Sequence, residues 1–190
     1  MLLSNNIAFK EWAIVCAALG SGRQTIILRK GGIDEGREGF RVRHSEFWLL
    51  PTRFHQEPSQ LKPDARLLWD EVQLRQPPTG TFPVDLYAAV EAVDEVHDIA
   101  MLDRLAGEHI LSAEKIRQRF DYRHPGLFVL AVRTFRIPTS YEVSDSPYIA
   151  GCKSWVELPE PLSTRGATPV LDTDAFALRL SRIQSSLTSL

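Results

Sequence analysis

Residues 127–137, LFVLAVRTFRI, form the strongest strand pattern in this 190-residue chain. The first six residues of the segment are all apolar, and they follow Pro125 and Gly126, a pair that favours a turn. A short apolar run after a turn is typical of a strand that is buried on both faces. We therefore predict that the segment, as far as its interruption at Arg133, is a central strand of the core.

The patterns on both sides of this strand predict one more long strand and several helices. Residues 82–96 are predicted to be extended, with a bend near Ala92. Asp98 and Ser112 are well suited to begin two helices, because their side-chain oxygens can accept from free backbone N–H groups. Gly107 is predicted to end the first of these helices.

After the central strand, residues 148–158 are predicted to contain a short strand. Thr173 is predicted to cap a final amphipathic helix, and residues 185–190 are predicted to fray.

The N-terminal segment is open to two interpretations. Asn5 or Asn6 can cap a first helix that ends at Gly20 or Gly22. A strand over WAIVCAAL fits the same short apolar run, because periodicity alone does not separate the two structures.

Two further strands are predicted around a glycine-rich loop. Residues 24–30 read as the first strand and residues 40–50 as the second, and together they predict a hairpin. In the second strand His44, Glu46 and Trp48 fall on one face because strand side chains alternate, so His44 and Glu46 are expected to touch.

These elements predict one α+β domain over residues 1–190, with a mixed, mostly antiparallel sheet and peripheral helices; a barrel-like sheet is compatible with the same pattern. The chain is 44% hydrophobic and 24% charged, which is ordinary for a globular protein. Its longest uncharged apolar run is far below the ~20 residues of a membrane span. We therefore predict a cytoplasmic location and no membrane partner.

The charge and cysteine content narrow the possible functions. The net charge is -2, so binding to nucleic acid would have to depend on a local patch. The two cysteines, Cys16 and Cys152, are too few for a zinc site made of cysteine alone. We predict no metal and no cofactor.

A pair of cations precedes a glycine pair in the motif Arg29-Lys30-Gly31-Gly32. Glycines let backbone N–H groups approach an anion closely, and the two cations add positive charge, so the motif can hold a phosphate. The alternative is an ordinary strand end followed by a turn. The motif is not a Walker loop, since the Gly-Lys-Ser/Thr sequence is absent.

Residues 115–136 carry a local charge of +5, from six cations and Asp121. The cations are Lys115, Arg117, Arg119, Arg123, Arg133 and Arg136. Tyr122 lies among them, and aromatic rings offer stacking surfaces for unpaired bases. The alternative is a solvated helix face with a buried ion pair, which suits Arg133 better than ligand contact.

Two other groups of residues suggest chemistry. His44, Glu46 and His55, with Asp34 and Glu35 nearby, are candidates for acid, base or metal-ligand roles, although their spacing matches no known metal motif. Histidines on an apolar strand face are more often structural, hydrogen-bonded residues, and a polar site without metal that also uses Gln56 is the other alternative.

The segment Gly151-Cys152-Lys153-Ser154 has a thiol and a hydroxyl. No partner base is fixed by the sequence, so a tight turn beside the core residue Trp155 explains the segment more simply than a nucleophile does.

The ordered set RKGGI, PT-x-x-HQ and GC-K-SWV resembles a bacterial family, domain of unknown function 1802, over about residues 8–170. The family carries no established activity and transfers no catalytic residue. In some proteins it is associated with a restriction-endonuclease-type catalytic domain, which implies a role beside DNA and a protein partner from such a system.

The leading hypothesis is a nucleic-acid-associated binding module for DNA or RNA, linked to restriction or defence systems. The predicted phosphate contacts are Arg29, Lys30, Arg53, Arg117, Arg119 and Arg123. Tyr122 is predicted to stack on a base, and His55 and Gln56 to make polar contacts.

The first alternative is a small hydrolase or nuclease that uses His44, Glu46 and His55. The second is a module that binds only other proteins. The leading hypothesis requires that basic segments distant in sequence meet in one cleft.

Overall fold

The structure is a computed structural model that describes residues 1–30, 42–75, 77–150 and 153–188. Its strands are β1 (Ser4–Trp12), β2 (Ile26–Arg29), β3 (Glu46–Thr52), β4 (Thr81–Val96), β5 (Leu127–Ser144), β6 (Trp155–Ser163) and β7 (Thr168–Pro169). Its α-helices are α1 (Ala13–Gly20), α2 (Arg66–Leu74), α3 (Ile99–Arg104), α4 (Ala113–Asp121), α5 (Pro147–Ala150) and α6 (Thr173–Leu187).

One α+β domain is formed around a mostly antiparallel sheet, as the sequence predicts. The strand order is β2-β5-β4-β3-β1-β6, with β7 also paired to β5. The order is open, and the edge strands β2 and β6 do not pair with each other in the described part of the chain. None of the helices within the described ranges is both long and apolar enough to cross a membrane.

The predicted central strand is confirmed. β5 pairs with β2 through Phe128 to Ala131 and with β4 along most of its length. Leu130 and Val132 are fully buried because sheet neighbours lie on both edges and core side chains lie on both faces. The pairing between β4 and β5 shifts register between Val90 and Ala92, which confirms the predicted bend near Ala92.

The predicted hairpin of residues 24–30 with residues 40–50 is wrong. β2 pairs antiparallel with β5, whereas β3 pairs parallel with β1 and antiparallel with β4. Ile26, Ile27 and Leu28 are at most 3% exposed, and all three belong to the apolar core. Residues 31–41, which hold the glycines of the predicted loop, lie outside the described residues.

The N-terminal helix prediction is also corrected. Residues from Ser4 to Trp12 form the strand β1, and the helix starts only at Ala13, so WAIVCAAL is helical after its first residue. Asn5 does not cap a helix, because it is buried and its Nδ2 donates to the Tyr87 hydroxyl at 3.0 Å. The predicted helix end at Gly20 is confirmed.

Several other helix boundaries were predictable from capping residues. The Asp98 side chain accepts from the Ala100 N–H at the start of α3, and Ser112 accepts from Lys115 at the start of α4. The cap of α6 is Asp172, one residue before the predicted Thr173.

The short strand predicted within residues 148–158 is confirmed: β6 begins at Trp155, after the short helix Pro147–Ala150. At the C-terminus, residues 185–187 are helical, and residues 189–190 lie outside the described part.

The sheet separates two apolar clusters. Phe47 and Leu49 belong to the larger cluster, and their neighbours Trp48 and Leu50 belong to the smaller one. Because side chains alternate along a strand, the two clusters lie on opposite faces of β3. The larger cluster also includes residues of α1 and α4, so these helices pack on the same core.

Gly22 gives a direct test of the turn that follows α1. Its φ is +70°, and an added Cβ would lie 2.7 Å from Leu171 Cδ2. We expect Gly22→Ala to lower the free energy of unfolding by about 1–2 kcal/mol or more, since an alanine is strained in this conformation. Urea denaturation measures the loss. Gly107→Ala is the control, because its Cβ would meet nothing within 4 Å, and equal stability of both variants would contradict the prediction.

A cationic pocket between the end of β2 and α4

A pocket of about 330 Å³ lies between the end of β2 and the outer face of α4. We call it the cationic pocket; it is lined by Leu28, Arg29, Lys30, Lys115, Gln118, Arg119 and Tyr122. Four of these residues are cations, and no carboxylate is among the lining residues that the structure describes. The two basic segments that are distant in sequence therefore meet here.

The helix α4 supplies its side of the pocket through its periodicity. Lys115, Gln118, Arg119 and Tyr122 are spaced i, i+3, i+4 and i+7, so they lie along one stripe of the helix. Ile116 and Phe120 are buried in the core, which fixes the rotation of α4. The amphipathic pattern of this helix therefore directs the polar stripe toward β2.

Arg29 is held at the base of the pocket by several contacts. Its Nη1 lies 3.4 Å from Glu11 Oε2, and Glu11 is only 2% exposed. Its Nη2 donates to the Ser154 hydroxyl, and its guanidinium lies 4.9 Å from the centre of the Phe9 ring. One carboxylate thus offsets the charge of this arginine and fixes its orientation.

Within the described residues, Lys30 is held by backbone oxygens. Its Nζ donates to the carbonyls of Phe120 at 3.0 Å and Gly126 at 2.7 Å, and also to that of His124. The Phe120 carbonyl lies in the last turn of α4, where the helix dipole favours a cation, and the other two carbonyls lie in the turn after the helix. Burial lowers the pKa of Lys30, while Asp121 and Glu95 act in the opposite direction. Carbonyl oxygens have no net charge, so the field of Lys30 still reaches the pocket.

Arg119 and Lys115 both contact the Trp12 ring. The Arg119 guanidinium lies 4.6 Å from the ring centre and the Lys115 ammonium 5.2 Å from it. Arg119 also donates to the Leu28 carbonyl at 2.9 Å. Burial lowers its pKa to about 10; Glu11 opposes that change and Arg29 adds to it. Arg119 therefore stays charged at neutral pH.

Tyr122 is the exposed aromatic residue of the pocket. Its side chain is 51% exposed, and the guanidinium of Arg123 lies 5.3 Å from its ring centre. Arg123 has a φ of 65°, which places its backbone in the left-handed region at the turn after α4. Arg117 is exposed on α4 but does not line the pocket.

The predicted contacts Arg53, His55 and Gln56 lie away from the cationic pocket, in the loop after β3. Arg53 Nη2 donates to the carbonyls of Val72 and Arg75, both at 2.8 Å, and so caps the end of α2. Gln56 Oε1 accepts from the Ile14 N–H at the start of α1. His55 is exposed with a φ of 61°. The structure gives Arg53 and Gln56 roles in holding this loop.

The predicted contact between His44 and Glu46 is not formed. His44 precedes β3, and its ring lies 5.2 Å from that of Trp155, which also contacts Phe47 of the larger cluster. Glu46 accepts from the Tyr87 hydroxyl at 3.0 Å, on the face of the smaller cluster. Burial tends to raise the pKa of Glu46, but hydrogen bonds from Leu2 and Tyr87 outweigh it and lower the pKa.

The metal-ligand set has no geometric counterpart in the described ranges, where no group of three or more His, Cys, Asp or Glu side chains could hold a metal ion. Asp34, Glu35 and Cys152 lie outside the described residues. Ser154 is buried and accepts from Arg29, so its hydroxyl supports the cationic pocket.

Sequence reasoning did not select Glu11, Trp12, Lys115 and Gln118 as site residues. Lys115 and Gln118 could have been found from their helical spacing with Arg119 and Tyr122. Glu11 and Trp12 carried no such signal, because they reach the pocket only through the packing of β1 beside the helices.

A profile of the family described as domain of unknown function (DUF1802) matches residues 8–182. The chain belongs to this family. The match confirms the resemblance seen in the sequence, and the description of the family assigns no activity. No curated protein matches this DUF1802 chain at a significant level.

Solved structures of ASCH from Zymomonas mobilis are similar to this DUF1802 chain in overall fold. One has 16% sequence identity and a TM-score of 0.42, and the alignment covers 96% of this chain and 95% of that chain. A mutant of the same protein has 15% identity and a TM-score of 0.45, with 95% and 98% covered. At this level of similarity they say nothing about a ligand.

Proposed function

We propose that the chain is a nucleic-acid-binding module whose cationic pocket holds the phosphate backbone of a single strand. The observation that carries the proposal is the meeting of Arg29, Lys30, Lys115 and Arg119 in one pocket of a chain whose net charge is -2. Cations gathered in a pocket create a local positive field that the overall charge does not provide.

The state of each cation supports binding of a polyanion. Among the described residues, Arg29 is paired with a carboxylate, whereas Lys30 and Arg119 are held by neutral carbonyls. These cations are therefore already ordered and still charged before a ligand binds. Less side-chain entropy is then lost when they surround a phosphate.

Tyr122 supports a single strand as the ligand. It lines the pocket and is 51% exposed, so its ring can stack on an unpaired base beside a bound phosphate. Exposed aromatic rings next to cations are the usual means by which proteins bind single strands.

Salt dependence tests the proposal. If about three phosphates are neutralised, the affinity for a labelled single-stranded DNA or RNA should fall about 20-fold when salt rises fourfold, because bound counterions are released. Fluorescence anisotropy measures the affinity. Binding that does not depend on salt, or no binding at low salt, would contradict the proposal.

Variants of the pocket locate the binding site. We expect Lys115→Gln to reduce the slope of log affinity against log salt by about 0.7, and Tyr122→Leu to weaken binding about tenfold without changing that slope. Arg66→Gln is the control, because it removes one positive charge from an exposed arginine at the start of α2, outside the pocket. It should leave the affinity and its salt dependence unchanged. If Lys115→Gln and Arg66→Gln change the oligonucleotide affinity equally, the strand binds outside the cationic pocket.

The link to restriction or defence systems belongs to the same proposal, together with a cytoplasmic location. It is supported by the family resemblance alone, and it predicts a preference for DNA over RNA in the anisotropy comparison.

The alternative of a hydrolase or nuclease gains no support from geometry, since His44 and Glu46 contact different partners and His55 lies in the loop after β3.

A further inference from the structure

A second and larger cavity, of about 610 Å³, lies between α1, the end of β3, the end of α2 and the start of β4. Small-molecule sites usually occupy ~300–1,000 Å³ and combine apolar walls with a few polar groups. Small side chains of α1, Ala13, Cys16 and Ala17, line part of this cavity. They leave room for a ligand that larger residues would fill.

The walls of this cavity are flat and apolar. Phe54 and Phe82 line it together with the prolines Pro51, Pro77 and Pro83. Phe54 is 65% exposed, although it is a large aromatic residue. Aromatic rings and prolines among the lining residues offer apolar surface on which a planar ligand can pack.

The loop that carries Phe54 is held on both sides. Arg53 donates to the carbonyls of Val72 and Arg75, and Gln56 accepts from the Ile14 N–H. His55 holds a positive φ of 61°, which costs backbone energy. An aromatic side chain kept exposed on an anchored loop is already arranged for binding, so little entropy is lost when a ligand stacks on it.

The polar groups of this cavity have both signs, unlike those of the cationic pocket. Arg75 and Arg136 provide donors, and Asp85 and Asp145 provide acceptors. Arg136 is oriented by Asp85 at 2.5 Å and by the Gly20 carbonyl at 2.8 Å. Charges of both signs favour a neutral ligand that presents donors and acceptors on one edge.

We infer that this cavity binds a neutral planar heterocycle of the nucleobase class, with its ring against Phe54 and its polar edge toward the Arg and Asp side chains. The inference deepens the proposed function, because the base can come from a bound strand or from a free nucleoside. The cationic pocket then binds phosphate, and this cavity binds a base.

Titration with the uncharged nucleosides adenosine, guanosine, cytidine, uridine and thymidine tests the inference. We expect at least one to bind, with an affinity that changes little between low and high salt because no phosphate is present. Ligand-observed NMR or calorimetry detects the binding. Absence of binding for all five nucleosides overturns the inference.

Phe54 variants show whether the ring is the contact. We expect Phe54→Ala to weaken nucleoside binding roughly tenfold or more, and Phe54→Tyr to retain it, because stacking needs an aromatic face. Leu178→Ala is a matched control, since Leu178 is 64% exposed on α6 and does not line the cavity. Equal binding by the Phe54→Ala and Leu178→Ala proteins overturns the inference.

Competition separates the two sources of the base. Displacement of the nucleoside by a saturating single-stranded oligonucleotide supports a base that comes from the strand, and simultaneous binding supports a free nucleoside. Salt-dependent oligonucleotide binding without any nucleoside binding overturns this inference alone. Nucleoside binding without any oligonucleotide binding overturns the proposed function and leaves the cavity as a nucleoside site.

Discussion

Lowering the pH below about 6.5 is expected to destabilise the protein through His109. This histidine is 7% exposed, and its Nδ1 has no hydrogen-bond partner within the described residues. Burial lowers its pKa from 6.5 to about 3, and the nearby cations Lys62 and Arg119 add to the effect. The folded protein therefore keeps His109 neutral across most of the acidic range.

The sign of the effect follows from proton uptake. Below about pH 6.5 the unfolded chain binds a proton at His109 and the folded chain does not, so unfolding is favoured as the pH falls toward the folded pKa of about 3. Each pH unit in this window costs roughly 1 kcal/mol, or about 2 kcal/mol between pH 6.5 and pH 4.5. Above pH 6.5 both states are neutral at His109, and its contribution is constant.

Urea denaturation of the native protein and of His109→Gln at about pH 7 and pH 4.5 measures the effect. The loss between the two pH values should be smaller in His109→Gln by about 2–3 kcal/mol. Any loss of stability that the substitution causes equally at both pH values cancels, because the change with pH is measured within each protein. His124→Gln, at an exposed position, should behave like the native protein. Identical pH dependence of the native protein and His109→Gln would show that His109 is protonated in the folded state.

Replacement of Glu11 by alanine is expected to lower the free energy of unfolding by about 3–5 kcal/mol. The carboxylate is buried between β1 and the cationic pocket, where Oε1 accepts from the Trp12 N–H at 2.7 Å and Oε2 from Arg29 at 3.4 Å. Its removal leaves the half-buried Arg29 without an anion and next to Arg119. The free-energy penalty of a buried charge without a partner is larger than the net stabilisation that the intact ion pair provides.

Chemical denaturation at low and high salt measures this loss. Glu11→Gln keeps the size of the side chain and an oxygen for the Trp12 N–H, so it should cost less than Glu11→Ala. The double variant Glu11→Ala with Arg29→Ala should lose less than the sum of the single variants, because they remove one interaction. Additive losses, or a loss below about 1 kcal/mol for Glu11→Ala, would contradict the role of Glu11 as the partner of Arg29.

Local patterns in the sequence were sufficient for some parts of the fold. The apolar run of residues 127–137, the caps Asp98 and Ser112, and the bend near Ala92 depend on side chains a few positions apart. The basic stripe of α4 was also visible as a charge cluster. These features could be predicted because their energies depend mainly on neighbours along the chain.

The strand pairings could not be predicted in this way. β2 joins β5 and not β3, and β1 is a strand that lies parallel to β3. Asn5 was interpreted as a helix cap, but its buried hydrogen bond to Tyr87 joins residues 82 positions apart. A short apolar segment is compatible with several partners, and only the packing of the whole core selects among them.

The sequence by itself determined an α+β chain of the DUF1802 family with two basic segments and a basic amphipathic helix. Only the tertiary structure decided that Lys30 meets the turn after α4, 96 residues away at Gly126, and that Arg53, His55 and Gln56 lie elsewhere. The physical reason is that local propensity depends on neighbouring residues, whereas a pocket forms where distant strands and helices bury their apolar faces together and bring their polar edges side by side.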